Sequence, residues 1–271
     1  VSPTVTHRRP KVRLDQLLVD RGLADTRSRA QALILAGKVR VGEGDAARRD
    51  RKPGDQVDPD EPVQIEEKNP YVSRGGHKLA AALDAFAIDP HGKAALDVGA
   101  STGGFTDVLL QRGARHVYAL DVGRGQLAES LRRDPRVTSL ERTNARTLTA
   151  TTLTEKVDLA VIDVSFISLD KVLGPVATTL APGGEIVALV KPQFEAGKGR
   201  TARGVVRDPT IHREVLERAT ANARTKHGLG TRAVIASPIL GPEGNREFLI
   251  YLAEGPSCAD LDTRIREVAG A

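Results

Sequence analysis

One cysteine in 271 residues, Cys258, excludes an internal disulfide and a cysteine-built zinc site. Aromatic residues are scarce at 3%, too few for the stacking platforms that hold single-stranded nucleic acid. Long apolar runs are missing: the longest, such as Ile186–Val190, are strand-sized and far short of a membrane span. No basic-then-apolar leader opens the sequence, so a cytosolic protein is expected. What remains is ordinary for a soluble globular chain, 40% hydrophobic and 28% charged. It is long enough for one large domain or two small ones.

Charge is unevenly placed along the chain, whose net charge is +5. Residues 1–52 hold 13 Lys and Arg against 6 Asp and Glu; residues 53–67 hold 6 acids and no base. A basic leading segment suits a polyanionic partner, and equally a solvated surface. Residues 1–10 mix polar, basic and proline residues and are expected to form a flexible tail. Leu14, Leu17, Leu18 and Val19 then make a helical stripe that stops at Gly22. Thr26 is the N-cap expected for a second helix carrying Ala30, Leu33, Ile34 and Leu35, closed by Gly37. Val39 and Val41 alternate with Lys38 and Arg40 as a strand does, and Val57, Val63 and Ile65 supply further short strands.

The segment RLDQLLVDRGLADTRSRAQALILAGKVRV resembles the S4 RNA-binding domain, a small α+β fold, over residues 11–67. Gly42–Glu43 stands where an Asn–Gly turn is more usual. The resemblance implies that Arg27, Arg29, Lys38 and Arg40, with Lys11 and Arg13, meet RNA phosphates, contacts that position without reading sequence. A surface-charged mini-domain is the plainer alternative.

A linker is expected over residues 68–72, and beyond it strands and helices alternate over 73–271. Strand candidates are 94–98, 116–121, 136–140, 157–163, 185–190, 232–237 and 247–252, with helices at 105–112, 125–133, 168–181 and 209–227. Short apolar strands separated by helices predict an α/β, Rossmann-like, mostly parallel sheet of seven strands covered on both faces. Ligands of such sheets bind beyond the strands' carboxyl ends.

After the first strand runs Asp97-Val98-Gly99-Ala100-Ser101-Thr102-Gly103-Gly104-Phe105, lacking the G-x-G-x-x-G of a dinucleotide site. Asp121, followed by Val122, ends the second strand and is placed for ribose hydroxyls. Together the D-x-G-x-x-x-G-G loop and this acid resemble the S-adenosylmethionine-dependent methyltransferases. A nicotinamide enzyme or a ligand-free turn fits less well.

Four charges at separate points of the pattern then become candidates: Lys78 on the helix before the first strand, Asp163, Lys191 and Glu247 at strand ends. Methyl transfer to a base amine typically uses Asn/Asp-Pro-Pro-aromatic, where Asp163-Val164-Ser165-Phe166 stands, and transfer to pyrimidine C5 needs a cysteine that no strand-end loop supplies. A hydroxyl acceptor needs a base; a lysine serves if a neighbouring cation and burial lower its pKa, and Lys78 beside Lys191 would be that cation.

Lys-Asp-Lys-Glu in this order resembles the tetrad of the FtsJ-like ribose 2′-O-methyltransferases. With the S4 module, SRGGHKL, DVGASTGGFT, ERTNAR and KPQFE, the chain resembles the TlyA family. Asp163-Val164-Ser165 departs from the commoner Asp-Leu-Ser, and Tyr71 from a Trp in the linker. The resemblance implies methylation of cytidine 2′-hydroxyls in 16S and 23S ribosomal RNA, with capreomycin and viomycin resistance where the modification is absent. It implies S-adenosylmethionine as cofactor, held by Asp97, Gly99, Ala100, Ser101, Thr102, Gly103, Gly104, Phe105, Asp121, Val122, Asn144 and Asp163. The expected roles are Lys191 as base, Lys78 lowering its pKa and steadying the oxyanion, Asp163 orienting Lys191, and Glu247 positioning Lys78. Arg142 and Arg146 resemble RNA-gripping positions, or are plain exposed loop arginines. Phe166 or Phe194 could stack on a flipped base, though core packing is the simpler reading of each. Ribosomal RNA or subunits are the expected partner, with no metal, no membrane and a monomeric chain. The alternatives are a membrane-active haemolysin, a name TlyA proteins also carry, and a non-catalytic S4 assembly factor.

Overall fold

In the computed structural model, described over residues 10–44, 47–65, 69–197, 200–201 and 204–270, the chain forms two compact units that divide between Pro70 and Tyr71. Residues 1–9 of the tail expected over 1–10, and residues 67–68 where the S4-like segment was expected to give way to a linker, lie outside the described residues.

The first unit is small. Strand β1 (Val12–Arg13) leads into helix α1 (Leu14–Asp20); α2 (Arg27–Leu35) is followed by β2 (Val39–Val41), β3 (Gln56–Val57) and β4 (Val63–Ile65). Two antiparallel pairs form, β1 with β3 and β2 with β4. Thr26 caps α2, its side chain accepting from the Arg29 N–H at 3.2 Å, an interaction that typically contributes about 1 kcal/mol. Leu14, Leu18, Ala30, Ile34, Val39, Val41 and Val57 close the core.

The second unit is an α/β layer structure. Helix α3 (Gly75–Phe86) precedes β5 (Ala94–Val98), α4 (Gly104–Gln111), β6 (His116–Leu120), α5 (Glu129–Arg132), β7 (Val137–Leu140), β8 (Val157–Ile162), α6 (Asp170–Ala177) and β9 (Leu180–Val190). Then come α7 (Pro192–Glu195), α8 (Pro209–His227), β10 (Leu229–Ala236), β11 (Phe248–Glu254) and α9 (Leu261–Gly270). The seven strands lie in the order β10-β11-β9-β8-β5-β6-β7. Among them β11 runs against its neighbours β9 and β10; the other pairings are parallel. Alternate residues of each buried strand feed two apolar clusters, one on each face: Leu96, Ala160 and Ile186 in one, Ala95, Leu159 and Val187 in the other.

Several boundaries differ from expectation. The strand expected at 185–190 begins at Leu180, because its opening residues pair with β8 through a register shift between Val157 and Leu159. That pairing also shortens the helix expected over 168–181 to Asp170–Ala177. The helix expected over 125–133 keeps only Glu129–Arg132, since Gly125 takes φ +66° in the loop before it.

Candidate active site

The carboxyl ends of β5, β6, β7 and β8 open into a cleft of about 530 Å³. Chain order reverses between β5's neighbours β6 and β8, the place where parallel sheets take ligands. Gly99 turns there with φ +87°, and a Cβ on it would lie 2.4 Å from the Asp163 carbonyl oxygen. No side chain fits between these two strand ends. Gly104 is equally constrained: its Cβ would lie 2.2 Å from Ser73 Oγ and 2.9 Å from the Gly76 nitrogen. The segment that begins α3 is therefore seated directly on the loop after β5, helped by the Val72 N–H donating to Asp107 Oδ2 at 2.8 Å. This seating delivers Lys78.

The two acids of the loop are fixed differently. Asp97 is fully buried; its Oδ2 accepts from the Thr106 N–H at 2.9 Å and the Thr106 hydroxyl at 2.7 Å. Its Oδ1 is buried with no partner among the described residues. Burial, opposed by the Thr106 bonds and aided by the charges of Asp163 and Asp121, lifts the Asp97 carboxyl to about 7. Asp121 instead accepts one backbone N–H on each oxygen, from Ser101 at 2.8 Å and Gly123 at 2.7 Å. Its remaining lone pairs stay open to the cleft, which it lines.

Gly99, Ser101, Asp121, Val122, Asn144 and Asp163, all expected at the cofactor, line the cleft. Val122 is 69% exposed there, an apolar side chain without cover. Ala100 lines a small neighbouring pocket with Ser101 and Asp121. Asp97 and Phe105 lie buried, behind the loop and in the core; Gly103 packs toward Leu131, and the Thr102 carbonyl accepts the Ala128 N–H.

The four charged candidates form two lysine–carboxylate pairs. Lys78 Nζ lies 2.5 Å from Glu247 Oε2, with the lysine side chain 9% and the glutamate 0% exposed. Lys191 Nζ lies 2.5 Å from Asp163 Oδ1, at 9% and 20% exposure. Strand register joins the pairs: Phe248 of β11 is opposite Val190 of β9, so Glu247 and Lys191 flank one paired rung. Gln193, two residues after Lys191, approaches Glu247 Oε1 with its amide nitrogen at 3.5 Å.

Two further polar residues join these loops. Lys191 Nζ donates to Ser165 Oγ at 3.0 Å. Glu195 on α7 accepts from Ser168 Oγ at 2.8 Å and the Leu169 N–H at 2.6 Å, tying the loop after β9 to the loop after β8. Neither stands out in the sequence; the one signal for Glu195 is its place in KPQFE. Phe166 corrects an expectation: it is 90% exposed with φ +64°, so core packing is not its role. Its ring tilts against the half-buried Phe194, centroids 4.9 Å apart, beside the cleft.

The expected RNA-facing residues divide. In the first unit a fully buried Asp15 collects Arg13 at 2.8 Å, Gln31 at 2.9 Å and Arg27 at 3.1 Å. The Arg13 guanidinium, with Gln31 and Arg27, holds the Asp15 carboxyl far below the usual range against the effect of burial. Arg13 and Arg27 thus serve the fold while remaining about half exposed. Arg40 donates to the Gly44 carbonyl. Lys11, Arg29 and Lys38 have no ion pair among the described residues. In the second unit Arg142 and Arg146 stand exposed, Arg146 on the cleft.

Residues 71–254 match the family model described as FtsJ-like methyltransferase, and residues 12–44 match the S4 domain. Over 246 residues the chain is 50% identical to the 16S/23S rRNA (cytidine-2′-O)-methyltransferase TlyA of Mycobacterium tuberculosis, covering 89% of this chain and 90% of the relative. It is 38% identical to Hemolysin A of Brachyspira hyodysenteriae, covering 89% and 99%. A solved structure from Streptococcus thermophilus, also named a hemolysin, superposes with a TM-score of 0.74 at 45% identity, covering 96% of this chain and 95% of that one. An S4 domain followed by an FtsJ-like domain, matched nearly end to end at half identity, places this chain in the TlyA family of FtsJ-like methyltransferases.

Proposed function

We propose that the chain transfers the methyl group of S-adenosylmethionine to the ribose 2′-hydroxyl of a cytidine in 16S or 23S ribosomal RNA, the activity named for its M. tuberculosis relative. The observation that carries this reading is the pairing of two largely buried lysines with two carboxylates beside a cleft at the sheet's switch point.

The residues present fit that cofactor. Asp121 retains lone pairs for a ribose diol, Asn144 and Val122 line the same side, and the orphaned Asp97 oxygen leaves an acceptor behind the loop. Gly99, Ser101, Asp121, Val122, Asn144 and Asp163, which line the cleft, would hold the cofactor. When bound, S-adenosylmethionine supplies an electrophilic methyl carbon on a sulfonium.

Lys191, in its neutral form, takes the 2′-hydroxyl proton, and Asp163 and Ser165 fix where its nitrogen points. Lys78 steadies the developing oxyanion, and Glu247 holds Lys78 in place. Alignment of hydroxyl and methyl carbon supplies much of the acceleration. Phe166 offers a ring for the target base once it leaves its stack. Lys11, Arg29, Lys38 and Arg40, with the outward parts of Arg13 and Arg27, would contact phosphates through the S4 unit; Arg142 and Arg146 would do so beside the cleft. The chain works as a monomer.

Ribosomal subunits lacking the modification, incubated with protein and labelled S-adenosylmethionine, should gain label on ribose. Lys191→Ala and Lys78→Ala proteins that still bind cofactor and RNA should not transfer it; appreciable turnover by either rejects these roles. The haemolysin name borne by relatives gives a second reading. No helix among the described residues is long and apolar enough to cross a membrane. Liposome leakage measured beside methylation separates the two readings.

A further inference from the structure

We propose that Glu195 is a positioning residue: its carboxylate fixes the far end of the loop after β8, so that Asp163, Ser165 and Lys191 are held as one piece. This deepens the function proposed above and rests on it.

The loop over residues 163–169 forms one wall of the cofactor cleft, lined in succession by Asp163, Val164, Ser165, Phe166 and Ile167. Such a wall has little of its own to hold it. Among the described residues the backbone N–H groups of residues 164–168 donate to no other group. Ser165 and Phe166 are exposed, and Phe166 takes φ +64°, which a non-glycine residue keeps only where its surroundings impose it. The loop therefore depends on its two ends. At its start the Asp163 N–H donates to the Val98 carbonyl of β5 at 2.9 Å. At its end the half-buried Glu195 takes over, one oxygen on Ser168 Oγ and the other on the Leu169 N–H. Helix α6 follows with no side-chain cap from its own N-cap residue, Leu169, and its dipole favours a carboxylate at that end.

Glu195 is in turn fixed relative to Lys191. The Phe194 and Glu195 N–H groups both donate to the Lys191 carbonyl, at 2.9 and 3.2 Å. Arg218 on α8 donates to the Glu195 carbonyl and anchors α7 from its other side. Lys191 and Glu195 thus bracket α7, and both reach across to the same loop. Lys191 meets Asp163 and Ser165 near its start; Glu195 meets Ser168 and Leu169 at its end. Two ties from one short helix set the loop's orientation as well as its place. With Glu195 gone the loop is free to swing about Lys191, and the alignment of amine, hydroxyl and methyl carbon goes with it.

Glutamine at this position keeps both ties. Its carbonyl oxygen accepts the Leu169 N–H, and its amide donates to the Ser168 hydroxyl, which turns from donor to acceptor. Alanine keeps neither. The test is single-turnover methylation of ribosomal subunits by the wild type, Glu195→Ala and Glu195→Gln, at saturating S-adenosylmethionine and across pH, with subunit affinity measured in parallel. Glu195→Ala should lose a factor of about 10–10² in rate, the scale set by a misplacement of about 1 Å, at unchanged subunit affinity and with an unmoved pH dependence. Glu195→Gln should recover most of that rate. Combined with Ser165→Ala, the loss should fall short of the product of the single losses, because both act on the alignment of Lys191. A wild-type rate in Glu195→Ala, or a loss confined to subunit affinity, overturns the positioning role and leaves the function standing. So does a full product in the double variant, a Glu195→Gln protein as slow as Glu195→Ala, or a displaced pH dependence, by which the carboxylate would act through its charge. Should Glu195→Ala not fold, Ser168→Ala, which removes one tie, should transfer several-fold more slowly, and a wild-type rate there overturns the role. A wild type that transfers no methyl group to ribosomal RNA overturns both.

Discussion

The two lysine–carboxylate pairs share their chemistry and differ in access to solvent. Glu247 is sealed, with Lys78 against one oxygen and Gln193 near the other. Asp163 is one-fifth exposed and lines the cofactor cleft, with Lys191 bonded to Ser165 on the same loop. The closed pair suits holding a geometry, and the open pair suits meeting a substrate. That difference fits the proposed roles, proton transfer by Lys191 and support by Lys78.

Removing the open lysine should have the largest effect on chemistry. A positioned base typically contributes a factor of about 10²–10⁴, so Lys191→Met should lose that much kcat while folding normally, since water reaches the Asp163 it leaves behind. Single-turnover methylation against melting temperature separates the two quantities. The closed pair should show the opposite balance in stability. Lys78→Met strands the Glu247 carboxylate in the interior and should destabilise the second unit by about 3–5 kcal/mol. The Lys78→Met/Glu247→Leu double variant should recover much of that in chemical denaturation and none of the activity. Equal destabilisation by Lys191→Met and Lys78→Met would erase the distinction.

Asp97 sharpens the comparison through pH. Its folded-state pKa is raised to about 7 from an unfolded value near 3.8. The folded state therefore binds the proton more tightly, and this group's contribution to stability is fully present below about pH 4. It is lost as pH rises from there through 7, by roughly 1.4 kcal/mol for each pH unit between the two values. Asp97→Asn keeps the acceptor for Thr106 and should remove this decline from pH-dependent melting curves. A wild-type stability flat from pH 4 to 7, after correction for other groups, contradicts the burial argument. The smallest effect belongs to Ser165→Ala, expected to cost about 1 kcal/mol of transition-state alignment, a several-fold loss in kcat.

Much of this site is legible before folding because its positions are set by the sheet. Short apolar strands mark their own ends, so Asp97, Asp121, Asp163, Lys191 and Glu247 fall at or beside predicted strand termini. The glycine-rich loop announces a close backbone approach, though not that Gly104 receives Ser73 or that Gly99 meets Asp163. Less legible are features decided by long-range partners. Residues 182–184 fall between the helix and strand expected at 168–181 and 185–190, yet they belong to β9, in the slip where its pairing with β8 passes from Leu180 to Glu185. Helix α9 is not among the predicted elements, although Leu261, Ile265, Val268 and Ala269 have helical spacing. Hydrophobicity alone puts Phe166 in the core, but its exposure depends on a loop geometry that hydrophobicity does not encode. The S4 resemblance turns Arg13 and Arg27 toward RNA, and only the burial of Asp15 shows their second task.

The central claim is methyl transfer to a ribose oxygen through Lys191. Its most direct test is alkaline hydrolysis of ribosomal RNA labelled by the wild type and by Lys191→Ala. A 2′-O-methyl group blocks cleavage at its own nucleotide, so the wild-type label should remain in an alkali-resistant dinucleotide beginning with cytidine, and the variant should leave no label. Label released as an alkali-labile mononucleotide, or equal labelling by the variant, would contradict it.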